Sequence, residues 1–388
     1  MELLNLHSLF SSKVYQDTFI NNLTLEEDAS KTMLEARTDI RNTLRTELPK
    51  RLRVALEEAG RVPVPRFFTQ GSWAYKTLNA PCKPPQQADL DDGTYLPFSY
   101  MESAPPSEMS SILFNTVEAI LDELAEEKGW GLVTDNPNCT RLVIDSETHI
   151  DVPVYSIPDD EFLQLNEARA SMEQKGLTMD SAFSIDDNWD LLPTQGVLMA
   201  TKKNGWRDSD PRPVKEWVEG EVNLKGDQLR RIMRYIKAWR DNQDWEADKD
   251  PKSILLMVAT AEAFDVAIHG RDDLALVKVC KELPRILRGK VINPVTAHRS
   301  AADQEDLAAR LDKDGIRDLL VSRVEKLAKH LEQAINDCKD PSVACFILRA
   351  EFGSRLPNDP NRVGIESVKT AVPVATVAVK PVGDITAG

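Results

Sequence analysis

Ala88-Asp89-Leu90-Asp91-Asp92-Gly93 is the stretch whose reading decides this chain. Asp89 to Leu96 reads as a strand, so Asp89 and Asp91 share one face and Asp92 points away. A third acid, Asp151, lies in His149-Ile150-Asp151-Val152-Pro153, which reads as part of a neighbouring strand. Upstream, Gly71-Ser72 opens a stretch, 71–78, that reads as a helix start. A helix start aims backbone N–H groups at a phosphate anion. Magnesium takes carboxylate, water and phosphate oxygens. Two such ions about 3.5–4 Å apart activate an attacking hydroxyl and steady a leaving oxygen. A turn beside three acids is therefore what a two-metal nucleotidyl-transfer site needs. Each piece alone also has a bland reading. Asp-Asp-Gly can cap a hairpin, serine is a common N-cap, and His149 beside Asp151 reads as a structural histidine. The conjunction is what points to chemistry.

Composition bounds the possibilities. The 388 residues suffice for two domains, and 41% hydrophobic with 29% charged residues is ordinary for a globular protein. No apolar run reaches the ~18 residues of a membrane span. Met1-Glu2-Leu3-Leu4 lacks a basic n-region and apolar stretch, so no secretory signal is expected. The five cysteines, Cys82, Cys139, Cys280, Cys338 and Cys345, form no CxxC pair. Neither a zinc site nor a disulfide framework is expected, which fits the cytoplasm. Asn138-Cys139-Thr140 is then a chance sequon. A net charge of −15 argues against long nucleic acid and for free nucleotides as substrate.

The rest of the chain divides in two. Residues 26–58 read as a helix through Met33, Ala36, Ile40 and Leu44, with Pro49 ending or kinking it. A second amphipathic helix covers 111–128, and strands are expected over 141–145 and 149–156. The second half reads as mostly helical, at 225–241, 252–265, 272–288, 302–312 and 315–336. Arg230, Arg234 and Lys237 fall on one face of the first of these, and Lys237 and Ser253 are candidate triphosphate contacts. From Leu356 the chain turns rich in Pro, Val, Thr and Ala and reads as a flexible tail ending in Gly388. The expected division is 1–205, 206–355 and 356–388.

Longer runs carry a resemblance. Pro65 to Asn79 (PRFFTQGSWAYKTLN), Asp89 to Pro97 (DLDDGTYLP) and Thr148 to Pro158 (THIDVPVYSIP) resemble the bacterial cGAS/DncV-like nucleotidyltransferases, the CD-NTases, and within them the DncV type. The likeness continues through Trp206–Pro211, Arg234–Asp241 and Pro251–Ile254, and more loosely to about residue 355. It implies an α+β fold: a polymerase-β-like nucleotidyltransferase core with a mixed, mostly antiparallel sheet, a helical C-terminal domain, and the active site in the cleft between them. It implies that Gln70, Gly71, Ser72 and Tyr75 hold one nucleotide, and that Asp89, Asp91 and Asp151 hold two Mg2+ ions. Arg141, Ser209, Lys237 and Ser253 would contact bases or phosphates of ATP and GTP.

The implied product is 3′,3′-cGAMP, a second messenger in anti-phage (CBASS) defence. In the same family a C-terminal glycine, here Gly388, can be joined to targets by an E1/E2-like partner. One departure stands out: Val295-Thr296-Ala297-His298 occupies the place of an expected acidic base-reading residue. Other cyclic products, such as adenine-only di- or trinucleotides, stay open. So do transfer to RNA or protein, and a non-catalytic role as a conjugation partner.

Overall fold

The computed structural model describes residues 2–56, 63–101, 106–174, 196–203 and 205–367. The expected conjugation site Gly388 lies outside them. Ten strands run β1 (Glu2–Asn5), β2 (Arg66–Gln70), β3 (Ala88–Pro97), β4 (Gly131–Val133), β5 (Thr140–Val143), β6 (Thr148–Val152), β7 (Val154–Ile157), β8 (Leu198–Thr201), β9 (Gly205–Asp208) and β10 (Gly364–Ser367). The helices are α1 (His7–Phe10), α2 (Phe19–Asn22), α3 (Glu27–Ala55), α4 (Gly71–Ala74), α5 (Pro106–Lys128), α6 (Asp159–Gln174), α7 (Arg212–Lys225), α8 (Asp227–Asn242), α9 (Ser253–Ala263), α10 (Asp272–Arg288), α11 (Ala309–Lys313), α12 (Arg317–Glu332) and α13 (Pro341–Phe352). None of the described helices is long and apolar enough to cross a membrane.

An eight-stranded mixed sheet has the order β4-β5-β6-β3-β7-β8-β9, with β2 also paired to β3. β3 is its centre. It pairs parallel with β6 through Ala88–Asp91 and parallel with β7 through Thr94–Pro97. It pairs antiparallel with β2, and the remaining ladders are antiparallel. The expected 149–156 strand is split at Pro153, whose ring leaves no N–H for a ladder. Instead its carbonyl accepts from the Thr94 amide at 2.9 Å.

α3 and α5 cover one face of the sheet, burying Leu44, Leu48, Phe67, Leu90, Leu113 and Ile150 in one core. α3 runs unbroken through Pro49. Its buried stripe, from Met33 through Ile40 and Leu44 to Leu52, spans the proline on both sides. Tertiary burial of that stripe outweighs the one lost backbone bond.

The helical domain forms a second, larger core around α8, α9, α10 and α12. Two expectations need correction here. The N-terminal segment, placed with the sheet domain by the division at 205, packs instead on this core through Leu4, Leu6, Leu9, Phe10 and Phe19. Residues 356–367, read as the start of a flexible tail, are ordered. Leu356 is fully buried, and β10 pairs antiparallel with β1. The low-complexity run further on masked this. Four helical spans also differ. The 71–78 helix is the single turn α4, the 302–312 helix is reduced to α11, and α7 and α13 were not anticipated. α7 starts with prolines, Pro211 and Pro213, which mark helix first turns as readily as loops.

Candidate active site

The acids converge because of strand register. Asp91 lies beside Asp151 and Asp89 beside His149 across the parallel β3–β6 ladder. Side chains of paired residues and of i, i+2 neighbours share one face. Ligand atoms of Asp89, His149 and Asp151 come within 4.8 Å of one another. Asp91 is enclosed with them, and burial together with the nearby Asp89 and Asp151 holds its carboxyl well above the usual carboxylate range. Asp89 Oδ1 is a buried oxygen without a hydrogen-bond partner. Crowded acids with an unsatisfied oxygen fit a divalent cation, which supplies the charge and the bonds the site lacks.

Asp92 is not the turn residue that the Asp-Asp-Gly reading suggested. It sits mid-strand, 1% exposed, on the opposite face. Arg41 of α3 grips it through Nε at 2.6 Å and Nη2 at 2.5 Å. Thr69 Oγ1 donates to it at 2.9 Å. The strand that presents two acids to the cleft is thus anchored behind by its third.

The Gly71-Ser72 turn stands against the same cluster. Gly71 has φ +68°, and a Cβ placed there would lie 1.9 Å from Asp91 Oδ2. Only glycine permits this approach. Gly71→Ala should therefore displace Asp91 and strain the turn by about 1–3 kcal/mol. An activity loss of about 100-fold or more is expected from a shift of ~1 Å in a ligand. Steady-state rates alongside thermal melts will check it; wild-type rates would mean Asp91 moves freely.

Each expected site residue has a definite place. Tyr75 is partly buried, its phenol pushed up by desolvation and then by Asp91. Gln70 is buried beside the cluster, paired with Asp91 in the β2–β3 ladder, and its Nε2 donates to the Tyr155 hydroxyl at 2.9 Å. Tyr155 stacks on Tyr95 with centroids 4.7 Å apart. Arg141 donates to both oxygens of Asp151, at 2.6 and 2.8 Å, so in this structure it braces the third acid. Lys237 is buried rather than on a solvated face, and its Nζ donates to the Thr77 carbonyl at 2.7 Å. Burial, then Arg240, pulls its amine down to about 7. Ser253 begins α9 and accepts from Arg240 Nη1 at 3.2 Å.

These residues surround a two-lobed cleft between the sheet and helical domains. One lobe, about 1050 Å³, takes in Gly71, Tyr75, Asp91 and Ser209. The other, about 630 Å³, takes in Arg141, His149 and Lys237. Ser72, Asp89 and Ser253 line both. His298 lines the larger lobe, and so do Asp303 and Glu305, acids that the helical reading of 302–312 had hidden.

A mixed sheet presenting three aspartates to a cleft, with a glycine-serine turn at their edge and a helical domain opposite, defines a nucleotidyltransferase. Residues 65–155 match the family described as cyclic GMP-AMP synthase DncV-like, nucleotidyltransferase domain, and 226–363 match the cyclic GMP-AMP synthase C-terminal domain. A cyclic GMP-AMP synthase of Vibrio cholerae is 36% identical over 308 residues, 76% of this chain and 68% of that one. Two Escherichia coli cyclic GMP-AMP synthases are 37% and 38% identical, with about half their length matched (52% and 50%).

Three structures of the Vibrio cholerae dinucleotide cyclase DncV, each 25% identical, superpose closely. A mutant with two aspartates replaced by alanine has a TM-score of 0.75, covering 95% of this chain and all of that one. A complex with the linear intermediate 5′ pppA(3′,5′)pG scores 0.74, with the same coverage. An aspartate-to-asparagine mutant with ATP, GTP and 5MTHFGLU2 scores 0.74, covering 94% of this chain and all of that one. The chain belongs to the DncV-like cyclic GMP-AMP synthase family of nucleotidyltransferases.

Proposed function

We propose that this enzyme joins ATP and GTP into 3′,3′-cGAMP by two Mg2+-dependent 3′–5′ nucleotidyl transfers in one cleft. The observation that carries the reading is the convergence of Asp89, Asp91 and Asp151 where the two lobes meet. Its support from relatives is specific. The aspartates replaced in the two DncV mutants stand two and then sixty residues apart in that chain, the spacing of Asp89, Asp91 and Asp151 here.

Asp89, Asp91 and Asp151 would hold the cations. When bound, these make the attacking hydroxyl more acidic and stabilise the leaving oxygen. The chain's own residues do the rest. Ser72 and the turn amides beside it, with Ser253 and Lys237, hold a triphosphate so that its α-phosphorus faces the other lobe. Arg141 holds Asp151 in place through both its carboxylate oxygens. The 3′-hydroxyl of one nucleotide attacks the α-phosphate of the other, the bond to the β-phosphate breaks, and pyrophosphate leaves. The linear dinucleotide re-seats, and its remaining 3′-hydroxyl closes the ring with loss of a second pyrophosphate. Tyr75 and Ser209 line the larger lobe, where a base and ribose fit.

Incubation of the purified protein with all four NTPs and Mg2+ tests this directly. The expected result is a phosphatase-resistant product with the mass of cGAMP. An adenine-only or three-base mass would reassign the product, and the absence of any cyclic product would sink the reading. The role in anti-phage defence and an E1/E2-like partner come with the family resemblance.

Lys237 gives a pH prediction. Its amine lies near 7 in the free protein, so near pH 8 it is mostly neutral. A triphosphate beside it favours the charged form. Nucleotide binding near pH 8 should take up a proton, and near pH 6, where both states are charged, this uptake should vanish. Calorimetry in buffers of different ionisation enthalpy will show it, and Lys237→Met should abolish it.

A further inference from the structure

We propose that His149 is an imidazole ligand of the divalent-cation site, biasing it towards first-row transition cations such as Mn2+ or Co2+. The inference rests on the carboxylate cluster being a cation site, as proposed above, but not on which nucleotide product is made.

His149 lies on β6, directly beside Asp89 on β3, and is 5% exposed. Its ring is fixed from behind. Nδ1 stands 3.1 Å from Gln87 Oε1. The Gln87 amide has no freedom to turn over, because its Nε2 donates to the Asp145 carbonyl at 3.0 Å. Gln87 therefore offers His149 an acceptor, and His149 Nδ1 must be the donor. The other nitrogen, Nε2, faces the acids. It lies 3.1 Å from Asp89 Oδ1 and 4.0 Å from Asp151 Oδ1. Both Nε2 and Asp89 Oδ1 are buried atoms without a hydrogen-bond partner.

The two atoms are 3.1 Å apart, yet neither satisfies the other by hydrogen bonding. A cation between them satisfies both. A histidine that donates one ring N–H to a carbonyl while turning the other nitrogen to a carboxylate pair has the arrangement that orients metal-bound imidazoles. Magnesium favours an all-oxygen shell, whereas imidazole favours later, more covalent cations. One nitrogen among carboxylates gives a site open to both classes, with the balance moved away from Mg2+.

The test uses Mn2+ alone with the full-length, nucleotide-free protein. Pulsed EPR of the bound ion should show a nitrogen-14 coupling from one imidazole, absent in His149→Gln. In competition titrations the preference for Mn2+ over Mg2+ should fall about tenfold or more in that variant. Gln87→Leu, which leaves the ligands in place but frees the ring, should weaken Mn2+ binding about 10–100-fold. Mn2+ bound to wild type without nitrogen coupling overturns the inference and leaves the carboxylate site standing. An unchanged metal preference in a folded His149→Gln overturns it as well. If Mn2+ does not bind at all, the inference and the cation reading of the carboxylates fall together.

Discussion

Asp91→Asn should reduce nucleotidyl transfer by about 1,000-fold or more while raising the melting temperature of the metal-free protein. The two signs differ because Asp91 serves the reaction at the expense of the fold. Its carboxylate is buried beside Asp89 and Asp151, and its proton affinity is raised well above that of an exposed acid. A group whose folded-state value is raised holds its proton more tightly folded than unfolded. Its contribution therefore falls as pH rises from the ordinary carboxylate value through the raised one. At neutral pH burying this carboxyl opposes folding unless a cation offsets it, and asparagine removes that opposition. Losing a ligand removes several kcal/mol of transition-state stabilisation, at 1.36 kcal/mol per factor of ten. The wild type should gain melting temperature on adding Mg2+, and Asp91→Asn should gain much less. A variant with normal rates, or with an undiminished Mg2+ shift, would remove Asp91 from the ligand set.

The second large effect is expected on stability. Arg41→Ala should destabilise the protein by about 3–5 kcal/mol, because it leaves Asp92 charged and buried without its partner. Arg41 is 6% exposed and Asp92 1% exposed, and the guanidinium also donates to Thr69 at 2.9 Å. Replacing both partners, Arg41→Met with Asp92→Leu, should recover most of the loss, since two apolar groups leave no uncompensated charge. Urea unfolding of the wild type and the two variants measures this. A single mutant as stable as the double would show that Asp92 finds another partner. Arg37, which donates to Thr69 at 2.8 Å, is the neighbour to watch.

The clustering of the three aspartates was legible in the sequence because their placement obeys a local rule. Alternation along β3 sets Asp89 and Asp91 on one face and Asp92 on the other, and Asp151 was read on a neighbouring strand. What Asp92 does was hidden, since its partner Arg41 is 51 residues away on another element. The same holds for His149, read as structural while its partner Gln87 stands 62 residues upstream in a loop. Gln70 shares the sheet face of Asp91, its partner in the ladder, but its amide is engaged by Tyr155 further along that face, a contact 85 residues away that local pattern does not reveal. Pro49 shows local propensity overruled by packing. The tail boundary shows composition averaged over too long a window, with Leu356 taken for part of a segment it does not resemble.

The pairing of β1 with β10 has a consequence for synthesis on the ribosome. The helical domain draws its core from residues before α3 and from residues as late as Leu356, so the sheet domain is in effect an insertion between its two parts. A nascent chain that has released β9 already has every described strand of the catalytic sheet, and domains tend to fold as units in order of emergence. Yet Lys237, Ser253 and the opposite wall of the cleft are still being made. The three acids can therefore assemble well before the cleft has its second wall, and the helical core that carries that wall is closed only when the last strand arrives to meet the first.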